Sequence, residues 1–133
     1  MEYEHLKLEV SEGIGTVTMN RPPGNALSDS FLNELSGMVE EVSENRDIRC
    51  VVFKSALEKT FMAGADLKEL PAGPDLSDID PSWSPKQMMM HILSKITDHV
   101  IMILGKGQQL MNAVEAIPKP TVAAIGGHAL GGG

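Results

Sequence analysis

Two stretches of this sequence suit bringing backbone, rather than side chains, up to a ligand. The first is Phe61-Met62-Ala63-Gly64-Ala65-Asp66-Leu67 and the second is Gly126-Gly127-His128-Ala129-Leu130-Gly131-Gly132-Gly133. Small residues let a ligand approach the main chain closely, and Gly64 can take positive φ without strain. Asp66 is placed to cap a short helical turn over Leu67 to Leu70, ended by Pro71, whose first N–H groups would be free to face an anion. Three consecutive glycines are poor material for a strand or helix interior and mark a tight approach between backbone and something else. Taken singly, each stretch is also what a tight turn or a glycine-rich strand exit looks like.

Other chemistries find less support. His91 and His99 stand eight residues apart, not the four of a helical metal pair, and His5 and His128 show no evident partners, so no metal is expected. The glycine cluster lacks the Lys-Ser/Thr ending of a phosphate-cradling loop. There is no Gly-x-Gly-x-x-Gly dinucleotide fingerprint and no Gly-x-Ser-x-Gly nucleophile elbow. Cys50 is alone, which excludes an internal disulfide, and its apolar neighbours suggest an inert thiol in a strand. A net charge of −7 argues against a nucleic-acid partner. The apolar run Met88 to Leu104 is broken by His91, Lys95, Asp98 and His99, so it reads as a core or interface helix and not as a membrane span. Met1 to His5 lack the basic start of a signal peptide, and a cytoplasmic location is expected.

The elements that must position the two stretches follow from periodicity. Leu6, Leu8 and Val10 alternate with charged residues, and after Ser11-Glu12-Gly13 a second extended run covers Ile14 to Met19, so a β-hairpin is predicted. Ser28 can cap a helix carrying Phe31, Leu35, Met38 or Val39, and Val42 on one stripe. Ile48 to Lys54 reads as a strand buried on both faces. Pro71 to Pro85 is a predicted surface loop. Ser84-Pro85 begins a helix bearing Met89, Leu93, Ile96, Val100 and Leu104, with Gly105 and Gly107 interrupting it before a further helical stretch from Gln108 to Ala116. Thr121 to Ile125 is a predicted short buried strand entering the glycine cluster. The order points to α/β architecture, one domain over residues 1–133.

The two stretches in this order, the second preceded by Pro118-Lys119-Pro120-Thr121-Val122-Ala123-Ala124-Ile125, resemble the enoyl-CoA hydratase/isomerase (crotonase) superfamily. Met19-Asn20-Arg21-Pro22 and Asn25-Ala26-Leu27-Ser28 agree with that family's opening, and residues 71–107 are the exception. The resemblance implies the N-terminal portion of a crotonase-like spiral of ββα units, acting on an acyl-CoA thioester. It implies no cofactor beyond the coenzyme A of the substrate. The thioester oxygen would be held by the backbone N–H groups of Ala65 and Gly132. Substrate contacts would come from Gly24, Ala26, Ala63, Ala65, Asp66, Leu67 and Gly132, with Lys54, Lys59 and Lys68 near enough in sequence to meet CoA phosphates. Charge developing on one oxygen is what two preorganised donors in a dry site stabilise, and bulkier residues would block the approach.

Hydration of a 2-enoyl-CoA is the reaction expected first. Double-bond isomerisation, other crotonase chemistries and a non-catalytic acyl-CoA-binding module are the alternatives. The family's acid/base glutamate stands two residues past the glycine triplet, beyond Gly133, so the sequence is expected to be a fragment, inactive by itself. The resemblance also implies a homo-oligomer, a trimer or a dimer of trimers. Met88, Met89, Met90, Met102 and Met111 could form an adaptable wall of the acyl pocket, or pack in a core or subunit interface.

Overall fold

A computed structural model of the chain describes residues 3–66, 68 and 77–133, without the side chains of 95–103. In chain order the elements are β1 (Leu6–Ser11), β2 (Ile14–Met19), α1 (Asp29–Glu44), β3 (Cys50–Ser55), β4 (Thr60–Met62), α2 (Pro85–Glu115), β5 (Thr121–Ala124) and β6 (His128–Ala129). β1 and β2 form the predicted antiparallel hairpin, Leu6 opposite Met19 and Ser11 opposite Ile14. Glu12 and Gly13 turn it with φ of 52° and 83°, positive at both central residues, as a tight hairpin turn matched to strand twist requires.

The sheet then grows in parallel, in the order β1-β2-β3-β5. Val17 pairs with Phe53, and Phe53 pairs with Ala123. Side chains alternate across each strand, so Leu8, Val17, Phe53 and Ala123 share one face. That face meets α1, whose Phe31, Leu32, Leu35, Met38, Val39 and Val42 are all buried in a common core with Leu6, Val17, Met19 and Val51. Ser28 caps α1, its hydroxyl accepting the Phe31 N–H at 3.1 Å. At the other end Lys119 donates to the carbonyls of Val42 and Asn45 at 2.5 and 2.6 Å, occupying acceptors that a helix end leaves open.

Three expectations are corrected. β3 is packed on one face only, with Val52 half-buried and Lys54 exposed on the other; an apolar run does not by itself say how many faces are covered. β5 is a strand, but all four of its residues are exposed: it lies at the edge of the sheet, and Thr121 and Ala123 border a cavity. Gly105 and Gly107 do not interrupt α2, which runs unbroken over 31 residues. A glycine in a helix weakens it by about 1 kcal/mol without blocking it. The N-terminus of α2 is as expected, with Pro85 in the first turn and a reciprocal capping box between Ser84 and Gln87. Of its predicted apolar stripe, the described Met89, Leu93 and Leu104 are 61%, 48% and 65% exposed. The side chains of Ile96, Val100 and Met102 lie outside the described residues.

Candidate active site

The two glycine-containing stretches lie side by side. β4 and β6 form a separate parallel pair, Thr60 opposite His128 and Met62 opposite Ala129. The His128 N–H reaches the Lys59 carbonyl at 3.0 Å, and the Leu130 N–H reaches the Met62 carbonyl at 2.9 Å. The approach is close enough to dictate residue type. Gly64 has φ of 85°, and a Cβ there would lie 2.9 Å from the Leu130 carbonyl oxygen, while a Cβ at Gly127 would overlap the Lys59 main chain.

Ala65 is held from its other side. The Leu27 N–H donates to the Gly64 carbonyl at 2.7 Å, and the Asp66 N–H donates to the Leu27 carbonyl at 3.0 Å, an isolated parallel bridge centred on Ala65. In that geometry the flanking groups bond to Leu27 and the N–H of Ala65 itself points the opposite way. Among the described residues no acceptor takes the N–H of Ala65 or of Gly132. Gly132 sits in a turn closed by the Gly133 N–H on the Leu130 carbonyl at 2.9 Å.

Ala65 and Gly132 border the same cavity, about 530 Å³, whose other walls are Leu27, Leu32, Leu104, Gly105, Gly107, Gln108 and Met111. A second, apolar cavity of about 350 Å³ shares Leu27, Met111 and Gly132 with it and extends between Met19, Phe53, Phe61 and Ala123. Glu115 is the one carboxylate bordering either cavity among the described residues. Such volumes are those of small-molecule sites, with apolar walls and few convergent polar groups.

The loop before α1 fixes the first stretch in place. Asn25 is fully buried with φ of 52°, a left-handed conformation that asparagine tolerates better than most residues. Its amide donates to the Ser55 hydroxyl and the Phe61 carbonyl, both at 2.9 Å, and its side-chain oxygen accepts the Arg21 N–H at 2.7 Å. Gly24 accepts the Ala63 N–H at 2.9 Å. Arg21 donates to the Ala26 carbonyl at 2.8 Å and to the Asp66 carboxylate at 3.0 Å. Burial would raise the Asp66 pKa, but the Lys68 N–H and the Arg21 guanidinium outweigh it and hold the carboxyl below its ordinary value.

Gly24, Ala26, Ala63, Ala65 and Asp66 therefore form one cluster, and Gly132 borders the same cavity as Ala65; Leu67 lies outside the described residues, as do 69 and 70 of the expected helical turn. Lys54, Lys59 and Lys68 are exposed. His5 is not without partners as expected: its backbone N–H and Nδ1 both meet the Glu34 carboxylate, at 2.9 and 2.8 Å. Glu4, His5 and Glu34 could each turn one ligand atom toward a common point, but those two contacts already occupy the Glu34 carboxylate. His91 likewise has Asp78 at 3.1 Å and Trp83 against its ring. The central place of Asn25, and the pairing of Arg21 with a residue 45 positions away, were not foreseen. Asparagine after glycine is a turn signal, but nothing in sequence shows what its amide will hold.

A family model described as enoyl-CoA hydratase/isomerase matches residues 9–107. The chain belongs to that family. The match runs through 71–107, where the quoted motifs are silent. Relatives named as enoyl-CoA hydratases extend the likeness over the glycine cluster. The short-chain-enoyl-CoA hydratase of Clostridium acetobutylicum is 31% identical over all of this chain and 43% of its own length. A probable enoyl-CoA hydratase of Bacillus subtilis is 31% identical over 96% of this chain and 41% of its own length. Solved structures agree on the crotonase fold. The Bacillus anthracis enoyl-CoA hydratase superposes over 98% of this chain and 43% of that one, with 28% identity and a TM-score of 0.67. Pseudomonas aeruginosa PA4980 does so over all of this chain and 48% of that one, with 26% identity and a TM-score of 0.72. This family member thus spans under half the length of these relatives. Among the described residues no helix is long and apolar enough to cross a membrane.

Proposed function

We propose that the protein acts on acyl-CoA thioesters by stabilising an enolate oxygen between the N–H groups of Ala65 and Gly132, and that its reaction is the hydration of a 2-enoyl-CoA. The observation that carries this reading is the pair of unclaimed N–H groups bordering one apolar cavity, in a chain of the enoyl-CoA hydratase/isomerase family. In the hydration, water gives up one proton and its oxygen bonds to C3 as the C2=C3 electrons move onto the thioester oxygen. The resulting enolate collapses as C2 takes a proton. Donors already in place when the charge develops favour that enolate over the ground-state carbonyl. Hydration, rather than isomerisation, is the part of the proposal drawn from the relatives' names.

In this reading Gly24, Ala26, Ala63, Asp66 and Leu67 flank the bound thioester, and CoA arrives with its substrate, no separate cofactor being required. The protein works in the cytoplasm as a homotrimer or dimer of trimers, which sedimentation of the native protein tests. It binds an acyl-CoA more tightly than the free fatty acid, because thioester oxygen and CoA phosphates both need protein donors.

The decisive experiment compares Gly132→Pro with Gly132→Ala in the native protein. A Cβ at Gly132 would crowd the flexible end of Met111 at 2.8 Å, so both variants meet that contact, but only proline removes the N–H. Hydration of a 2-enoyl-CoA should fall about 10²–10³-fold further in the proline variant. Equal rates in the two variants would refute the donor role of Gly132.

A further inference from the structure

Helix α2 carries two glycines in its interior, Gly105 and Gly107, on either side of Lys106. Glycine is the poorest helix former after proline, so its presence there asks for a reason. Packing supplies none: a Cβ built at either position would meet nothing within 4 Å. Conformation supplies none either, since neither has positive φ. What the two share is the 530 Å³ cavity, which both border together with Leu104, Gln108 and Met111 of the same helix. Residues 104, 107, 108 and 111 lie on one face of an α-helix, with 105 at its edge, so Gly107 sits in the middle of the cavity-facing stripe. Lys106, turned elsewhere, forms an ion pair with Asp29 in the first turn of α1. That pair ties the glycine segment of α2 to α1, beside the cavity walls Leu27 and Leu32.

We propose that Gly107, assisted by Gly105, is a specificity-determining position that keeps this cavity open for the tail of a medium-length acyl group. The inference rests on the acyl-CoA reading above. A thioester oxygen between Ala65 and Gly132 would stand at the wall of the same cavity that the two glycines border. The acyl chain then runs along α2 over space that any larger side chain would fill. Glycine costs the helix some stability and leaves the volume to the substrate.

The test is calorimetric binding of butanoyl-CoA and decanoyl-CoA to the native protein and to Gly107→Leu. The parent should bind both. The variant should lose about 10-fold or more in affinity for decanoyl-CoA, with butanoyl-CoA changed much less, a discrimination of the size that added methylene groups produce in apolar pockets. Gln109→Leu, exposed on the same helix and bordering neither cavity, should leave the ratio unchanged. Should Gly107→Leu fail to fold, Gly107→Ala, a substitution favourable to the helix, should still lower the decanoyl/butanoyl affinity ratio severalfold. A parent that binds both thioesters while the folded variants keep its ratio overturns this inference and leaves the acyl-CoA reading standing. A parent that binds neither thioester overturns both.

Discussion

The two helices of this chain carry the same kind of apolar stripe and meet different surroundings. α1 covers one face of the sheet, and six of its side chains are buried there. α2 is almost twice as long, yet the only residue in it that is buried is Leu110 among the described ones, while Met89, Met90 and Leu104 are exposed. Around Leu110, its one buried contribution to the core among the described residues, α2 also borders two cavities. Periodicity tells that a helix has an apolar face; what fills the space beneath that face is decided by distant residues. Here the filled side holds the scaffold, and the open side borders the backbone groups of the candidate site.

Paired truncations would break or sharpen that contrast. Phe31→Ala removes a ring that is fully buried beneath α1 and should cost about 3–5 kcal/mol in urea unfolding. Leu104→Ala, cut from a side chain 65% exposed, should cost about 0.5 kcal/mol or less. A Leu104 loss as large as that at Phe31 would show that the open face of α2 is covered in solution and that the contrast is not real.

The next effect lies where the filled side meets the site. Asn25→Ala leaves the Phe61 carbonyl, the Ser55 hydroxyl and the Arg21 N–H short of a partner and places alanine at φ of 52°. A loss of about 2–4 kcal/mol is expected. Asn25→Gly relieves the backbone conformation but not the hydrogen bonds. If glycine recovers nearly all of the stability, the side-chain hub is unimportant and the positive φ alone explains the asparagine.

Much of this was legible in the sequence. The hairpin, the Ser28 and Ser84 caps and the α1 stripe are local, and each follows from residues within a few positions of one another. So was the juxtaposition of the two glycine-containing stretches, through a family resemblance and not through spacing. What escaped is non-local. No pattern within β5 says that its residues border a cavity and solvent, and none within Gly105 and Gly107 says that the helix continues through them. The Asn25 hub and the Arg21–Asp66 pair join segments 30 or more residues apart, which only the folded chain brings together.

The smallest effect expected is at the rim of the site, and its sign with pH is fixed. The Asp66 carboxyl is held below its ordinary value, so its pairing adds stability above the unfolded-state value near about pH 4, and that contribution is lost as pH falls through the lower folded value. Arg21→Met removes the guanidinium that Asp66 shares with the Ala26 carbonyl. At neutral pH it should cost about 1–2 kcal/mol, because both side chains are largely shielded from water. Part of that cost, the bond to Ala26, does not depend on pH. The remainder should shrink as Asp66 protonates, bringing the parent and variant stability curves together below about pH 4. Curves that stay parallel from neutral to acid would mean that Arg21 acts only through the Ala26 carbonyl. The loop carrying Ala65 would then owe its position to Asn25 and Leu27, and not to charge.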